Sequence, residues 1–184
     1  MLSYVENIPA IVKVVEELNL SRIVDVGAGF GKYGMLCREA ILSKRAENGE
    51  VVPDDDLELT AVEDTRYFDR YLQPGVYYDS VIHQSMFEVP KSIWYAHDLA
   101  LIIDVVEHFR KPEILALIAR ITEQDCRVLV STPKNTVMYV EHYYGDQRHH
   151  ITQWQRADFD SEFFTVERDD STELSHILVL GPKA

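Results

Sequence analysis

Residues 23–34 read IVDVGAGFGKYG, an apolar run that breaks into three alternating glycines, Gly27, Gly29 and Gly31. A sequence suited to a helix follows directly. Glycine allows a positive φ or a close approach of the backbone to a ligand, and the first turn of a helix presents unpaired N–H groups to a polar or anionic group. The stretch therefore predicts a strand, a tight turn and a helix start that together bind a nucleotide-like cofactor.

The residues before the glycines narrow the choice of cofactor. Residues 29–34 alone satisfy the dinucleotide pattern G-x-G-x-x-G, so the glycines do not distinguish between cofactors. Asp25, two residues before Gly27, extends the pattern to D-x-G-x-G-x-G, which resembles motif I of the class I S-adenosylmethionine-dependent methyltransferases. A buried acid at this place is expected to hold the loop by accepting backbone N–H bonds, and we assign Asp25 to shaping the cofactor site.

The resemblance continues along most of the chain. The further matching segments follow the family's order and comprise a second strand that ends in an acid (residues 57–63), a fourth strand with its D-V-x-E-H signature (98–109), a fifth strand (127–133) and a closing hairpin (163–167 and 175–180).

Two places depart from the family pattern. Residues 49–56 form an extra polar loop that delays the acid of the second strand, and Ser85 and Met86 stand where the family often has an aspartate facing the adenine amino group. An adenine contact at Ser85 and Met86 is then expected to be weak or made by backbone.

Composition and charge limit the class of protein and of substrate. The chain has 184 residues, of which 46% are hydrophobic and 27% charged, which suits one domain over residues 1–184 with a sizeable core. Its 31 acidic and 18 basic residues give a net charge of −13, which makes bulk nucleic acid an unlikely substrate because phosphates would be repelled. A small-molecule acceptor fits better, and a homodimer is compatible with the sequence.

Cysteine usage and hydropathy predict a cytoplasmic protein. Cys37 and Cys126 are far apart in elements expected to be buried, so two core thiols in a reducing compartment are expected instead of a disulfide. No run approaches the length of about 20 apolar residues that a membrane span needs, and the N-terminus lacks the pattern of a secretory signal.

The order of elements predicts an α/β protein. Residues 8–20 carry an amphipathic helical stripe, within an N-terminal segment of residues 1–20, and a second helix over residues 32–46 ends at Asn48-Gly49. The remaining expected elements alternate: strands at 21–26, 57–63, 76–83, 99–103 and 128–131, and helical segments at 66–72, 112–122 and 156–161. This predicts a single-domain Rossmann-like doubly wound sheet, mostly parallel with a C-terminal antiparallel hairpin, which is the class I methyltransferase fold.

The carboxyl ends of the strands are expected to form the site, because ligands of such sheets bind where the strand order reverses. The resemblance places the carboxylate that grips the cofactor ribose at the end of the second strand. We prefer Glu63 to Asp64 for this role because Glu63 is the last residue in strand register, and a carboxylate there can accept both ribose hydroxyls.

Asp104, Glu107 and His108 follow the fourth strand. By the resemblance, Asp104 faces the methionine moiety of the cofactor or the reacting methyl group. Glu107 suits either the crevice or an ordinary helix start, where the helix dipole favours an acid. His108 is the first candidate for a catalytic base, because an imidazole titrates near neutrality.

Residues 142–154 are rich in aromatic and imidazole side chains without an apolar period, so they predict a long substrate-binding loop within residues 133–155. His150 is the second candidate base. A metal site from His142, His149 and His150 is disfavoured because no acid or cysteine in this stretch completes a ligand set, so no metal is expected. The spacing from His150 to Trp154 resembles a subgroup of small bacterial and phage methyltransferases.

The sequence therefore predicts an S-adenosyl-L-methionine-dependent methyltransferase that acts on a small hydroxyl-, amine- or sugar-bearing acceptor. Two alternatives stay open. One is a non-catalytic subunit that binds S-adenosylmethionine, and the other is a NAD-type Rossmann enzyme, which has no reason to carry Asp25 or the segment from Asp104 to His108.

Overall fold

The computed structural model describes residues 4–49, 56–135, 140–143 and 146–183. The strands of these ranges are β1 (Arg22–Val26), β2 (Glu58–Val62), β3 (Ser80–Ile82), β4 (Leu99–Ile103), β5 (Arg127–Pro133), β6 (Val140–Tyr143), β7 (Asp146–His149), β8 (Phe164–Asp169) and β9 (Ser175–Pro182). The α-helices are α1 (Ile8–Leu18), α2 (Lys32–Glu47), α3 (Asp69–Leu72), α4 (Lys91–Ala96) and α5 (Lys111–Thr122). Single turns of 3₁₀-helix span Val5–Asn7, Arg66–Phe68, Val106–His108 and Arg156–Phe159.

The larger sheet has seven strands in the order β3-β2-β1-β4-β5-β9-β8. The first five strands of this order run parallel to their neighbours, and β9 pairs antiparallel with both β5 and β8. The strand order reverses between β1 and β4, which creates a crevice at the carboxyl ends of these strands. The predicted α/β fold with a closing antiparallel hairpin is confirmed.

Helices cover both faces of this sheet, so its central strands are buried on both sides. Alternate residues of β4 show this: Leu99, Leu101 and Ile103 belong to one apolar cluster, whereas Ala100 and Ile102 belong to the other. A strand covered on both faces is a continuous apolar run, since neither set of side chains meets water. Cys37 and Cys126 are free thiols within these two cores, as expected.

Several elements differ from the sequence expectations. The strand expected at 76–83 is only β3, and the helical segment expected at 156–161 is one 3₁₀ turn. Helix α4 was not predicted because six residues hold too little of a helical period, although Trp94 within it is fully buried.

Residues 142–154 are expected to form a long loop, whereas part of this segment is paired. β6 and β7 pair as an antiparallel ribbon within the described residues of this segment. The sequence of this segment lacks the alternation of apolar and polar residues that predicts a half-buried strand. Strands pair through backbone hydrogen bonds, which do not depend on that alternation. The side chains of residues 140–149 lie outside what the structure describes, and among the described residues no helix is both long and apolar enough to cross a membrane.

Candidate functional site

The glycine loop after β1 lines the crevice. The backbone N–H of Gly27 donates to the Val62 carbonyl at 2.8 Å, which attaches the loop to the end of β2. Gly27 and Gly29 have φ of +72° and +54°, a region that favours glycine. A Cβ on Gly27 would lie 2.7 Å from Val105 Cγ2, whereas a Cβ on Gly29 would point into space, with the Gly27 carbonyl oxygen nearest at 3.8 Å. Gly27 therefore serves packing, and Gly29 faces the crevice.

Asp25 shapes this loop through a tyrosine. The Tyr78 hydroxyl donates to Asp25 Oδ2 at 2.5 Å and accepts the N–H of Gly34 at 3.1 Å, so a buried chain of bonds joins β1 to α2. Burial raises the pKa of Asp25 to about 6; the nearby Glu63 charge also raises it, while the Tyr78 bond lowers it. The sequence predicted backbone N–H donors to Asp25, but its described partner is this hydroxyl. Tyr78 was missed because only folding brings the segment before β3 beside β1.

Glu63 lies directly after β2 and beside the glycine loop. Its carboxylate accepts the N–H of Gly29 at 3.0 Å and that of Thr65 at 3.1 Å. The side chain is buried, whereas Asp64 next to it is exposed. A carboxylate offers about four acceptor positions, so it can accept from several donors at once. The strand ends one residue earlier than expected, at Val62, but Glu63 is buried and Asp64 is exposed.

The segment after β3 is held from the side of α5. The Arg120 guanidinium donates to the carbonyls of Met86 at 3.1 Å and Phe87 at 2.9 Å. The Met86 side chain is buried in the core, while Ser85 is half-buried. The thioether of Met86 therefore serves packing, and Ser85 before it is the partly accessible residue of the two.

Asp104 stands at the point where β4 ends. Its φ of +53° turns the chain, and its N–H donates to the Ser131 carbonyl at 2.8 Å. The carboxylate is 3% exposed, with the Ser131 hydroxyl 3.5 Å from Oδ1. Lys32, at the start of α2, lies close enough to Asp104 and Asp25 for both carboxylates to influence its pKa. Burial lowers the pKa of Lys32, and the two carboxylates partly offset this effect.

Lys32 is thus a site residue that the sequence interpretation missed. The signal was present, because Lys32 follows the last glycine of the D-x-G-x-G-x-G pattern directly. It brings a cation to a crevice that otherwise holds the carboxylates of Asp25, Glu63 and Asp104.

Glu107, His108 and His150 form a compact group, here called the histidine–glutamate cluster. One ligand atom from each of the three side chains lies within 4.8 Å of the other two. The His108 and His150 rings meet edge to face, with centroids 4.7 Å apart. Glu107 is fully buried, and its Oε2 accepts the Thr132 hydroxyl at 3.1 Å.

The backbone explains how residues so distant in sequence meet. The carbonyl of Glu107 accepts the N–H groups of Ile151 at 2.9 Å and Thr152 at 3.1 Å, which holds the segment after β7 against the turn after β4. An acid therefore does accompany His150, contrary to the reason for which the sequence disfavoured a metal. That acid belongs to another segment, which the spacing within residues 142–154 does not show.

Trp154 does not belong to the surface of a substrate lid. Its ring is fully buried, stacks on Phe159 with centroids 4.9 Å apart, and has Lys111 Nζ 5.7 Å from its centroid. The histidine four residues earlier is near the crevice, whereas Trp154 anchors the segment in the core.

Comparison with known proteins gives structural matches only; no family model and no curated protein matches the sequence. The magnesium protoporphyrin IX methyltransferase of Synechocystis PCC 6803, solved with S-adenosylmethionine, is 16% identical, with coverage of 97% of this chain and 79% of that one and a TM-score of 0.59. The methyltransferase domain of bacterial CtHen1-C is 19% identical, with 97% of each chain covered and a TM-score of 0.62.

A third structure, described as a putative Zn-dependent alcohol dehydrogenase from Rhodobacter sphaeroides, is 12% identical, with 100% of this chain and 92% of that one covered and a TM-score of 0.65. At these identities the likenesses establish the fold. The strand order, the glycine loop after β1 and the acid after β2 agree with it. This chain therefore has the fold of the class I S-adenosylmethionine-dependent methyltransferases.

Proposed function

We propose that this protein transfers the methyl group of S-adenosyl-L-methionine to a small molecule that carries a hydroxyl, an amine or a sugar. The observation that carries the proposal is the contact between the glycine loop and Glu63. The Gly29 N–H lies 3.0 Å from Glu63 Oε2, at the crevice where the strand order reverses. The methyltransferase matches, one of them solved with S-adenosylmethionine, support the same cofactor.

Each residue of the crevice has a role in this proposal. Glu63 accepts the ribose hydroxyls, and the open space over Gly29 admits the cofactor. Gly27 and Gly31 keep the loop close to the sheet, and Asp25 holds its shape through Tyr78. Ser85 and the Met86 backbone border the adenine.

The methionine end of the cofactor would be held on the β4 side of β1, by residues at the end of β4 and at the start of α2. Asp104 accepts from its ammonium group, and Lys32 lies within reach of its carboxylate. The acceptor would then be bound near the ends of β4 and β5, where the histidine–glutamate cluster lies.

The transfer itself needs alignment more than activation, because a sulfonium is a good leaving group. The acceptor oxygen or nitrogen attacks the methyl carbon, the carbon–sulfur bond breaks, and its electron pair stays on sulfur to give S-adenosylhomocysteine. The acceptor loses one proton. His108 is the first candidate to accept it and His150 the second, while Asp104 positions the methyl group.

Calorimetry with S-adenosylhomocysteine and with NAD tests the cofactor. We expect micromolar binding of S-adenosylhomocysteine and no comparable binding of NAD, since the order of the motifs, from the glycine loop through Glu63 to Asp104, fits the former and not the latter. Binding of NAD alone would overturn the proposal in favour of a NAD-type enzyme. A screen of small hydroxyl and amine acceptors, with S-adenosylhomocysteine formation as the signal, then separates an enzyme from a non-catalytic subunit.

A further inference from the structure

The histidine–glutamate cluster has the composition and geometry of a metal site. We propose that Glu107, His108 and His150 bind one divalent transition-metal ion, and that this ion holds a hydroxyl oxygen of the acceptor. The role toward the acceptor rests on the proposed function. Metal binding by the three side chains does not depend on it.

The distances support a shared ion. Ligand atoms of one ion, each about 2.1 Å from it, lie at most about 4.2 Å apart. The three candidate ligand atoms already lie within 4.8 Å of one another, so small side-chain rotations bring them to one centre. The two imidazole rings meet edge to face instead of stacking, which suits two ligands that approach one ion from different directions.

The surroundings hold these ligands in place. The Thr132 hydroxyl orients the carboxylate of Glu107 through its bond to Oε2 at 3.1 Å. The Glu107 carbonyl positions the segment that carries His150 by accepting the N–H of Ile151 at 2.9 Å. Metal ligands are commonly oriented by such outer hydrogen bonds. Burial of Glu107 also favours a cation at this place, because a fully buried carboxylate is stabilised by a neighbouring positive charge.

The ligand types select the class of ion. Two imidazoles with one carboxylate suit Mn²⁺, Fe²⁺, Co²⁺, Ni²⁺ or Zn²⁺, whereas Mg²⁺ and Ca²⁺ prefer oxygen ligands. Three protein ligands leave at least one position for an exogenous oxygen, as in catalytic metal sites.

An ion at this place changes how the acceptor loses its proton. Coordination lowers the pKa of a bound hydroxyl, so its proton passes to solvent and the metal-bound oxygen attacks the methyl carbon. The carbon–sulfur bond breaks with its electron pair on sulfur. In the metal-loaded protein, His108 and His150 therefore act as ligands and not as bases.

Metal titration of the untagged protein tests the site. CoCl₂ and ZnCl₂ are titrated by calorimetry after dialysis against a chelator, with MgCl₂ and CaCl₂ for comparison, and the visible absorption of Co²⁺ reports nitrogen ligands. We expect one Co²⁺ or Zn²⁺ per chain. Glu107→Gln and His150→Asn should each weaken binding at least tenfold, and Thr132→Val by about 10-fold to 100-fold.

His176→Asn is the matched control, because His176 is a half-buried histidine on β9 that does not belong to the cluster. It should bind Co²⁺ as the wild type does. Circular dichroism of each metal-free variant shows whether it is folded. A folded wild type that binds neither Co²⁺ nor Zn²⁺ would overturn the inference, as would equal affinity of Glu107→Gln and the wild type. Calorimetry with S-adenosylhomocysteine on the same samples keeps the two proposals separate, since loss of that binding alone would contradict only the proposed function.

Discussion

Replacement of Asp25 by asparagine should shift the stability of the protein relative to the wild type in favour of the variant as the pH rises. The amide side chain would keep an oxygen acceptor for the Tyr78 hydroxyl, which lies 2.5 Å from Asp25 in the wild type, but it carries no buried charge. Burial raises the pKa of the Asp25 carboxyl from 3.8 to about 6. The folded state thus holds this proton more tightly than the unfolded chain does.

The direction and size follow from this difference. A raised pKa in the folded state contributes stability below the unfolded pKa of 3.8, and that contribution is lost as the pH rises through about 6. The difference of about 2.2 between the two pKa values is equivalent to about 3 kcal/mol in total. About 2 kcal/mol of this falls between about pH 4.5 and about pH 7.5, where both proteins can be compared.

Urea unfolding of both proteins at several pH values measures the effect. We expect the free energy of unfolding of Asp25→Asn, relative to wild type, to rise by about 2 kcal/mol across that range. Asp98→Asn is the control with the opposite sign. Burial raises the pKa of Asp98, but the hydrogen bond and charge of Arg22 outweigh this and lower it, so its contribution is lost as the pH falls. A difference between Asp25→Asn and wild type that stays constant with pH would refute the reasoning.

Three further predictions concern the loop, the ribose contact and the segment after β7. Gly29→Val should abolish S-adenosylhomocysteine binding by calorimetry, because its side chain would occupy the open space over the loop, and it should also lower the melting temperature, because valine is strained at a φ of +54°. Gly34→Ala should lower the melting temperature for another reason, because a Cβ there would clash with the ring of Tyr78. Glu63→Ala should weaken cofactor binding by about 1 to 3 kcal/mol, and Asp64→Ala should weaken it much less. If a titration gave the reverse ranking, the ribose contact would belong to Asp64. Trp154→Ala should cost about 3 to 5 kcal/mol of unfolding free energy, and an unchanged urea midpoint would contradict its place in the core.

The sequence alone determined most of the fold and the cofactor loop. The glycines after an apolar run, the buried strand at residues 99–103 and the hairpin near the C-terminus are local patterns, because strand period, turn chemistry and helix signals depend on neighbouring residues. The burial of Glu63 next to an exposed Asp64 also follows from local sequence, since the two residues directly follow an apolar strand.

The contacts that complete the site were decided by tertiary structure. Tyr78 reaches Asp25, and Glu107 reaches His150, only because the sheet brings the ends of separate strands together. Trp154 belongs to the core because Phe159 and Lys111 cover its ring, which no spacing within its own segment indicates. The periodicity of apolar residues shows which face of an element is buried. The partners of a buried polar group come from distant segments, so they are decided only when those segments pack.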